Sequence, residues 1–101
     1  MPVMMIRYRV AEEGVGEVAD AVKAAFTAVE ARQPEGIRYA YYLRPDSAEF
    51  VATLELAEGV QNPLFGIGAA RKLQQTVAKW AIGDAPAPQP LEVLGCYGFD
   101  R

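Results

Sequence analysis

The sequence predicts an α+β fold in which two helices cover one face of a four-stranded antiparallel sheet. Four segments alternate apolar and other residues at the two-residue period of a strand. Two longer segments repeat apolar residues at the helical period. The order is strand, helix, strand, strand, helix, strand, and we expect residues 1–101 to form a single domain.

The first half of the pattern comprises one strand and one helix. Residues 4–10 are predicted as the first strand, with the even-numbered residues on one face and Arg7 and Arg9 on the other. The helical period begins at Val15. Pro34 ends this helix, because the residue before a proline disfavours the helical conformation.

The second and third strands are predicted as a hairpin. Residues 37–44 and 50–56 both alternate, and the turn-forming sequence at 45–47 separates them. Asn62 and Pro63 then form a helix-start pair, a capping side chain followed by proline. We expect the regular second helix to begin near Ala69 and to end at Gly83.

Residues 91–99 are predicted as the last strand, with Tyr97 on its helix-facing side. The whole order fits a ferredoxin-like βαββαβ domain with right-handed crossovers. The sheet face away from the helices mixes arginines with Met, Val, Leu, Tyr and Cys, whereas a solvated face would be more uniformly polar. We therefore expect a homodimer that forms through this sheet face.

The composition excludes several classes of partner. Ten basic and thirteen acidic residues without a basic cluster argue against nucleic acid, and no apolar run approaches the ~20 residues of a membrane helix. A single cysteine, Cys96, and no separate apolar leader favour a cytoplasmic location. Histidine is absent, which removes the usual general base and the commonest metal ligand. The sequence therefore predicts neither a metal nor a cofactor.

The chain resembles the dimeric α/β-barrel superfamily, in particular antibiotic biosynthesis monooxygenase-like proteins of an actinobacterial type. The resemblance spans almost the whole chain and is carried by residues 4–8, 36–39, 50–55, 58–64 and 91–97. It implies a small aromatic, polyketide or quinol-like ligand, because cofactor-free members oxidise anthrones or quinols with molecular oxygen. Haem-degrading members place an Asn on the first strand and a His on the second helix. This chain has neither, which argues against haem degradation.

Five residues are candidates for binding the ligand, and no catalytic residue is assigned. Tyr8, Tyr41 and Tyr97 share the predicted helix-facing side and could orient a planar aromatic molecule. Trp80 could stack on that molecule, and Asn62 could donate a hydrogen bond to a quinone-type carbonyl. Each also has a structural interpretation: tyrosine is common in strands, Trp80 lies on an apolar helix stripe, and Asn62 is placed to cap a helix.

Charged residues on the other face have two interpretations. Arg7, Arg9, Arg38 and Glu55 could bind an anion or stabilise an enolate, or they could pair with one another across the barrel interior. The function itself also stays open. A cofactor-independent monooxygenase and a non-catalytic small-molecule-binding or structural dimer both fit, and an isomerase or a degrading enzyme is a third alternative.

Overall fold

The computed structural model describes residues 3–83 and 86–97. The regular elements are β1 (Val3–Val10), α1 (Val15–Arg32), β2 (Ile37–Leu43), β3 (Glu49–Leu56), α2 (Gly68–Trp80), β4 (Ala81–Ile82) and β5 (Gln89–Leu91). Two short 3-10 turns, Glu12–Gly14 and Pro63–Gly66, precede the two helices.

All pairings within the sheet are antiparallel. The order is β2-β3-β1-β4, and β5 also pairs with β1, so the predicted α+β architecture with a ferredoxin-like strand order is confirmed. The fourth strand of the prediction is divided in the structure between two short strands on the same edge of β1. The register places Tyr8 opposite Phe50 and Tyr41 opposite Ala52.

The helix starts agree with the sequence to within a residue, but one helix end does not. Helix α1 begins at Val15 as expected and ends at Arg32, where Gln33 adopts a left-handed conformation with φ 49°. Helix α2 begins at Gly68 but ends at Trp80, three residues before the predicted Gly83. It ends early because the chain continues directly into β4, which pairs with the end of β1.

The predicted last strand over residues 91–99 is wrong in its extent. The strand is Gln89–Leu91, and residues 92–97 belong to no strand. The reason is the antiparallel register, which sets Leu91 opposite Val3. Val3 is the first residue of β1, so the described strand offers no further partner beyond that point. Residues 98 and 99 lie outside the described residues.

The core lies between the sheet and the helices. Val18 and Ala25 of α1 and Leu73 and Val77 of α2 pack on the helix-covered face of the sheet. A second apolar cluster, beside the Pro63–Gly66 turn, consists of Leu64, Ile67 and Ala70 with partly buried neighbours. None of the helices in the described residues is long and apolar enough to cross a membrane.

Candidate functional site

The two tyrosine hydroxyls that the structure brings together lie on the helix-covered face. Tyr8 is on β1 and Tyr41 is on β2, with β3 between them. Their hydroxyl groups are hydrogen-bonded to each other. The residue of β3 opposite Tyr41 is Ala52, whose small side chain leaves room for the two phenols to meet above the central strand. The period-two pattern had placed both tyrosines on this face, and the register makes them partners.

Three more aromatic rings extend this pair into a continuous ring cluster of Tyr8, Phe26, Tyr39, Tyr41 and Phe50. Tyr8 stacks on Phe50 with ring centroids 5.6 Å apart, and Tyr39 stacks on Phe26 at 4.7 Å. The Tyr41 ring meets Tyr39 and Phe50 edge-on, at 6.2 Å in both cases. The cluster therefore offers both ring faces and ring edges to a planar aromatic molecule.

Burial keeps the three phenols of the cluster protonated. It raises the pKa of Tyr8 and of Tyr39 from 10.0 to about 12. The pKa of Tyr41 is raised further, first by burial and then by its hydrogen bond to Tyr8. Neutral phenols donate hydrogen bonds and are poor proton acceptors, so these three tyrosines are suited to hydrogen-bond donation.

The hydroxyl pair leaves one donor uncommitted. A hydrogen bond between two hydroxyls uses the proton of one of them, and the second hydroxyl still carries its own. The bond between Tyr8 and Tyr41 is the one hydrogen bond that either side chain makes with the described residues. The hydrogen bond between the two hydroxyls polarises the uncommitted O–H. The rings of the cluster surround this O–H with apolar surface. It can donate to an oxygen atom of a ligand.

The other three candidate residues do not join this pair. The side-chain oxygen of Asn62 accepts the backbone N–H of Leu64 at 2.9 Å, so the capping interpretation is confirmed. Tyr97 follows β5 and is 98% exposed, so it does not occupy the helix-facing position that the predicted strand implied.

Trp80 packs at the end of α2 against the core and the first 3-10 turn. A Cβ atom on Gly14 would lie 2.3 Å from Cδ2 of the indole, so only glycine fits at this contact. The indole Nε1 is buried and has no hydrogen-bond partner in the described part of the chain. The Nζ atom of Lys79 lies 5.1 Å from the centre of the indole ring. These contacts support the core interpretation of Trp80.

Sequence reasoning left Phe26, Tyr39 and Phe50 out of the candidate site. The signal for two of them was available, because Tyr39 and Phe50 fall on the same alternating face as Tyr41 and Tyr8. Phe26 could not be placed from its own sequence, since its contact with Tyr39 depends on how α1 crosses the sheet.

The open face of the sheet carries ion pairs and two open grooves. Arg7 and Arg44 both pair with Glu49, at 3.4 and 3.1 Å, and Arg38 pairs with Glu55 at 3.7 Å. Arg7, Arg38 and Arg44 thus pair within one sheet, and pairing across the barrel interior stays a prediction. A groove of about 580 Å³ is lined by Met5, Arg7, Tyr8, Arg9, Glu49, Ile82, Pro86, Ala87 and Gln89. A second, of about 540 Å³, lies beside it and shares Arg9 and Ile82.

The described residues contain no group of three His, Cys, Asp or Glu side chains that could hold a metal ion.

No protein-family model and no curated protein sequence matches the chain. Solved structures do match it. A candidate antibiotic biosynthesis monooxygenase from Nitrosomonas europaea superposes with a TM-score of 0.70 at 14% identity, over 92% of this chain and 89% of that one. The chain has the fold of the antibiotic biosynthesis monooxygenase-like proteins.

Two further structures define how widely this fold is used. A second antibiotic biosynthesis monooxygenase matches with a TM-score of 0.70 at 12% identity, over 94% of this chain and all of that one. An L-rhamnose mutarotase from Formosa agariphila matches with a TM-score of 0.51 at 12% identity, over 94% and 97% of the two chains. The fold therefore accommodates proteins named for different reactions, and the function has to be argued from the side chains.

Proposed function

We propose that this chain is a homodimeric barrel that binds a small aromatic or quinol-like molecule at the ring cluster, without a cofactor. The observation that carries the proposal is the hydrogen-bonded pair of Tyr8 and Tyr41, with one uncommitted O–H among aromatic rings. A phenol or carbonyl oxygen of the ligand would accept this O–H. The ligand's ring would contact the rings of the cluster.

The ligand would approach from the β2 side of the cluster. Strand β2 is at the end of the strand order, paired with β3 alone among the described strands. Tyr39 and Tyr41 on β2 are partly buried, whereas Tyr8 on β1 is only 7% exposed. An incoming ring therefore meets Tyr41 before Tyr8. Because the cluster is already packed with side chains, binding requires a shift of the Tyr39 or Tyr41 ring rather than entry into an existing cavity.

A pair of neighbouring tyrosines gives the matched test of this site. Tyr41 and Tyr42 are adjacent on β2, but Tyr42 points to the open face and is 57% exposed. Anthrone and hydroquinone would be titrated without oxygen and followed by amide chemical shifts. Tyr41→Phe is expected to weaken binding roughly tenfold, since one hydrogen bond in an apolar site is lost. Tyr42→Phe should not change the affinity. Equal affinities for the wild-type protein and Tyr41→Phe would remove the hydroxyl pair from the site.

The apolar side chains on the open face of the sheet support the proposed dimer. Met5, Val51 and the exposed Tyr42 lie on that face among the ion-paired arginines, and a second copy would cover these apolar side chains. Sedimentation velocity tests this proposal. Val51→Arg on the open face should produce monomers, whereas Thr27→Arg on the exposed side of α1 should leave the assembly unchanged. A wild-type monomer at all concentrations would contradict the proposal.

Oxygenation of the bound molecule is a second candidate function, favoured by the names of the structures that share the fold. In the simplest reaction a methylene group of an anthrone and one O₂ give a carbonyl group and one water. The two methylene hydrogens leave in the water, and the anthrone anion supplies the electrons that reduce oxygen. Tyr8 and Tyr41 would stabilise the anion's oxygen as donors, since their raised pKa keeps both hydroxyls protonated and unable to take up a proton.

Oxygen uptake separates the two functions. Saturable uptake with anthrones, compared with boiled protein, would establish oxygenation. Binding without uptake would leave the protein as a binding module or as an enzyme of another reaction class, since a structure that shares the fold is named as a sugar mutarotase.

A further inference from the structure

Tyr39 lies between the ring cluster and the second apolar cluster, on the helix-covered face of the sheet. Its ring stacks on Phe26 of α1 with centroids 4.7 Å apart. Tyr39 also packs against the cluster in which Leu64 and Ile67 are buried. A shift of the Tyr39 ring, which would make room for a ligand beside Tyr41, therefore displaces either α1 or this second cluster.

The two neighbours of Tyr39 differ in how easily they can move. Helix α1 is 18 residues long, and its Val18 and Ala25 have no exposed surface. Moving α1 would therefore disrupt the close packing of the main core. The second cluster is held by residues 63–67, here called the gate segment, which consist of one 3-10 turn and the residue after it. On the outer side of the gate segment Phe65 is 67% exposed. The gate segment is thus the neighbour that can move at lower cost.

The chain is anchored on both sides of the gate segment. Before it, Val60 packs so closely on Gly36 that a Cβ atom there would lie 2.7 Å from Cγ2 of Val60. After it, α2 is anchored in the main core by the buried Leu73 and Val77. Within the segment, Gly66 has open space where a Cβ atom would lie and the wide backbone freedom of glycine. A movement can therefore be confined to the gate segment.

Arg32, the last residue of α1, holds the gate segment in place. Its Nη2 atom donates a hydrogen bond to the carbonyl oxygen of Gly66 at 3.0 Å. Arg71 donates to the carbonyl oxygen of Phe65 at 2.7 Å, but Arg71 belongs to α2, which follows the segment directly. The Arg32 bond instead joins the segment to the helix that carries Phe26. Because Arg32 is exposed, water can hydrate its guanidinium when this bond breaks.

We propose that the gate segment is the movable wall of the aromatic site and that Arg32 is its latch. When the segment moves outward, the Tyr39 ring follows it, and the ring of the ligand takes the vacated space beside Tyr41. Arg32 is a positioning residue in this arrangement, because it acts through the segment and does not touch the ligand. The inference rests on the function proposed above, which supplies the ligand.

Hydrogen exchange of backbone amides measures the opening without any ligand. The N–H of Ile67 donates to the carbonyl oxygen of Leu64 at 3.0 Å, and this bond must break before the amide exchanges. Arg32→Gln should accelerate the exchange roughly three- to tenfold, since a charge-assisted hydrogen bond is lost. The N–H of Gln33, bonded to the carbonyl oxygen of Val29 at 2.8 Å, reports on the end of α1 and should not change. Unchanged exchange at Ile67, or equal acceleration at Gln33, would overturn the latch.

Anthrone, titrated without oxygen, then measures what the opening admits. A ligand that binds only the open form gains affinity in proportion to the open fraction. Arg32→Gln should therefore bind anthrone roughly three- to tenfold more tightly, by about the same factor as the change in exchange at Ile67. This gain cannot result from misfolding. Lys23→Gln removes the same charge from the exposed surface of α1 and should change neither the exchange nor the affinity.

Gly66→Ala is expected to have the opposite effect. Its Cβ atom has open space in the closed form, and it restricts the backbone of the open form. Exchange at Ile67 should slow and anthrone binding should weaken, both by about two- to fivefold. Faster exchange in Arg32→Gln with unchanged anthrone affinity would overturn the gate and leave the function proposed above intact. Failure of the wild-type protein and every variant to bind anthrone would contradict that function, and the gate would fall with it.

Discussion

The two faces of this sheet are built from the same strands, yet they differ in how closely their side chains pack within one chain. On the helix-covered face the side chains satisfy one another: Tyr41 bonds to Tyr8, and five rings pack together. On the open face the next residue, Tyr42, is 57% exposed, and grooves and ion pairs lie around it. The helix-covered face is packed within a single chain and keeps one uncommitted hydroxyl, whereas the open face leaves a large side chain exposed in the described chain.

The largest expected difference between the faces is in stability. Phe50 on the helix-covered face is 2% exposed and stacks on Tyr8. Phe50→Ala should lower the free energy of unfolding by about 3–5 kcal/mol, because it leaves a cavity in the core. If that variant does not fold, Phe50→Leu should cost about 1–2 kcal/mol. Urea unfolding followed by circular dichroism gives these values.

The matched substitution on the open face is Tyr42→Ala, which should cost less than about 1 kcal/mol in dilute protein. A loss as large as that of Phe50→Ala would break the comparison. It would mean that the open face is covered in solution.

A smaller effect is expected where the first 3-10 turn meets α2. Gly14→Ala would place a Cβ atom 2.3 Å from the Trp80 ring and should cost about 1–3 kcal/mol through overpacking. Gly16, two residues away in α1, has open space around it, and Gly16→Ala should stabilise the protein by up to about 1 kcal/mol. Thermal unfolding of both variants provides the comparison. A loss in both would indicate a general effect on α1 rather than the predicted steric contact.

The hydroxyl pair should have a coupled effect of similar or smaller size. Tyr41→Phe leaves the Tyr8 hydroxyl without its partner in a buried position and should cost about 1 kcal/mol. Replacing both tyrosines by phenylalanine removes the stranded hydroxyl as well, so the double variant should lose less than the sum of the single losses. Additive losses in urea unfolding would mean that the two hydroxyls do not interact in solution.

The raised pKa of the cluster tyrosines has the smallest expected effect on stability at neutral pH. In alkaline solution its effect on the free energy of unfolding becomes measurable. Unfolded tyrosine releases its proton near pH 10, whereas folded Tyr8 and Tyr39 hold theirs to about pH 12. The unfolded state therefore loses protons first, so the stability contributed below pH 10 is lost as the pH rises toward 12. Urea midpoints from pH 9 to 12 should fall less steeply in the Tyr8→Phe, Tyr41→Phe double variant. An identical fall would contradict the assignment to these residues.

The sequence predicted the features that depend on local periodicity. Alternation put Tyr8 and Tyr41 on one face, and Asn62 before Pro63 indicated the cap that the structure contains. It could not predict how far a strand continues, because pairing also needs a neighbour, and the first residue of the described β1, Val3, already lies opposite Leu91. For the same reason Tyr97 was misplaced. The two ion pairs of Glu49, with Arg7 and Arg44, depend on which side chains the strand pairing sets side by side, and no single segment contains that information.

The position of Trp80 has a consequence for the order in which the chain folds. It is the single tryptophan of the sequence, and its contact with Gly14 joins the two halves of the chain. Its backbone carbonyl also accepts the N–H of Ala11 at 3.1 Å. The change in indole fluorescence during refolding would therefore date the docking of the second half on the first. Since β1 pairs with β3, whose residues are 40 to 52 positions further along the chain, that docking should be slow relative to helix formation.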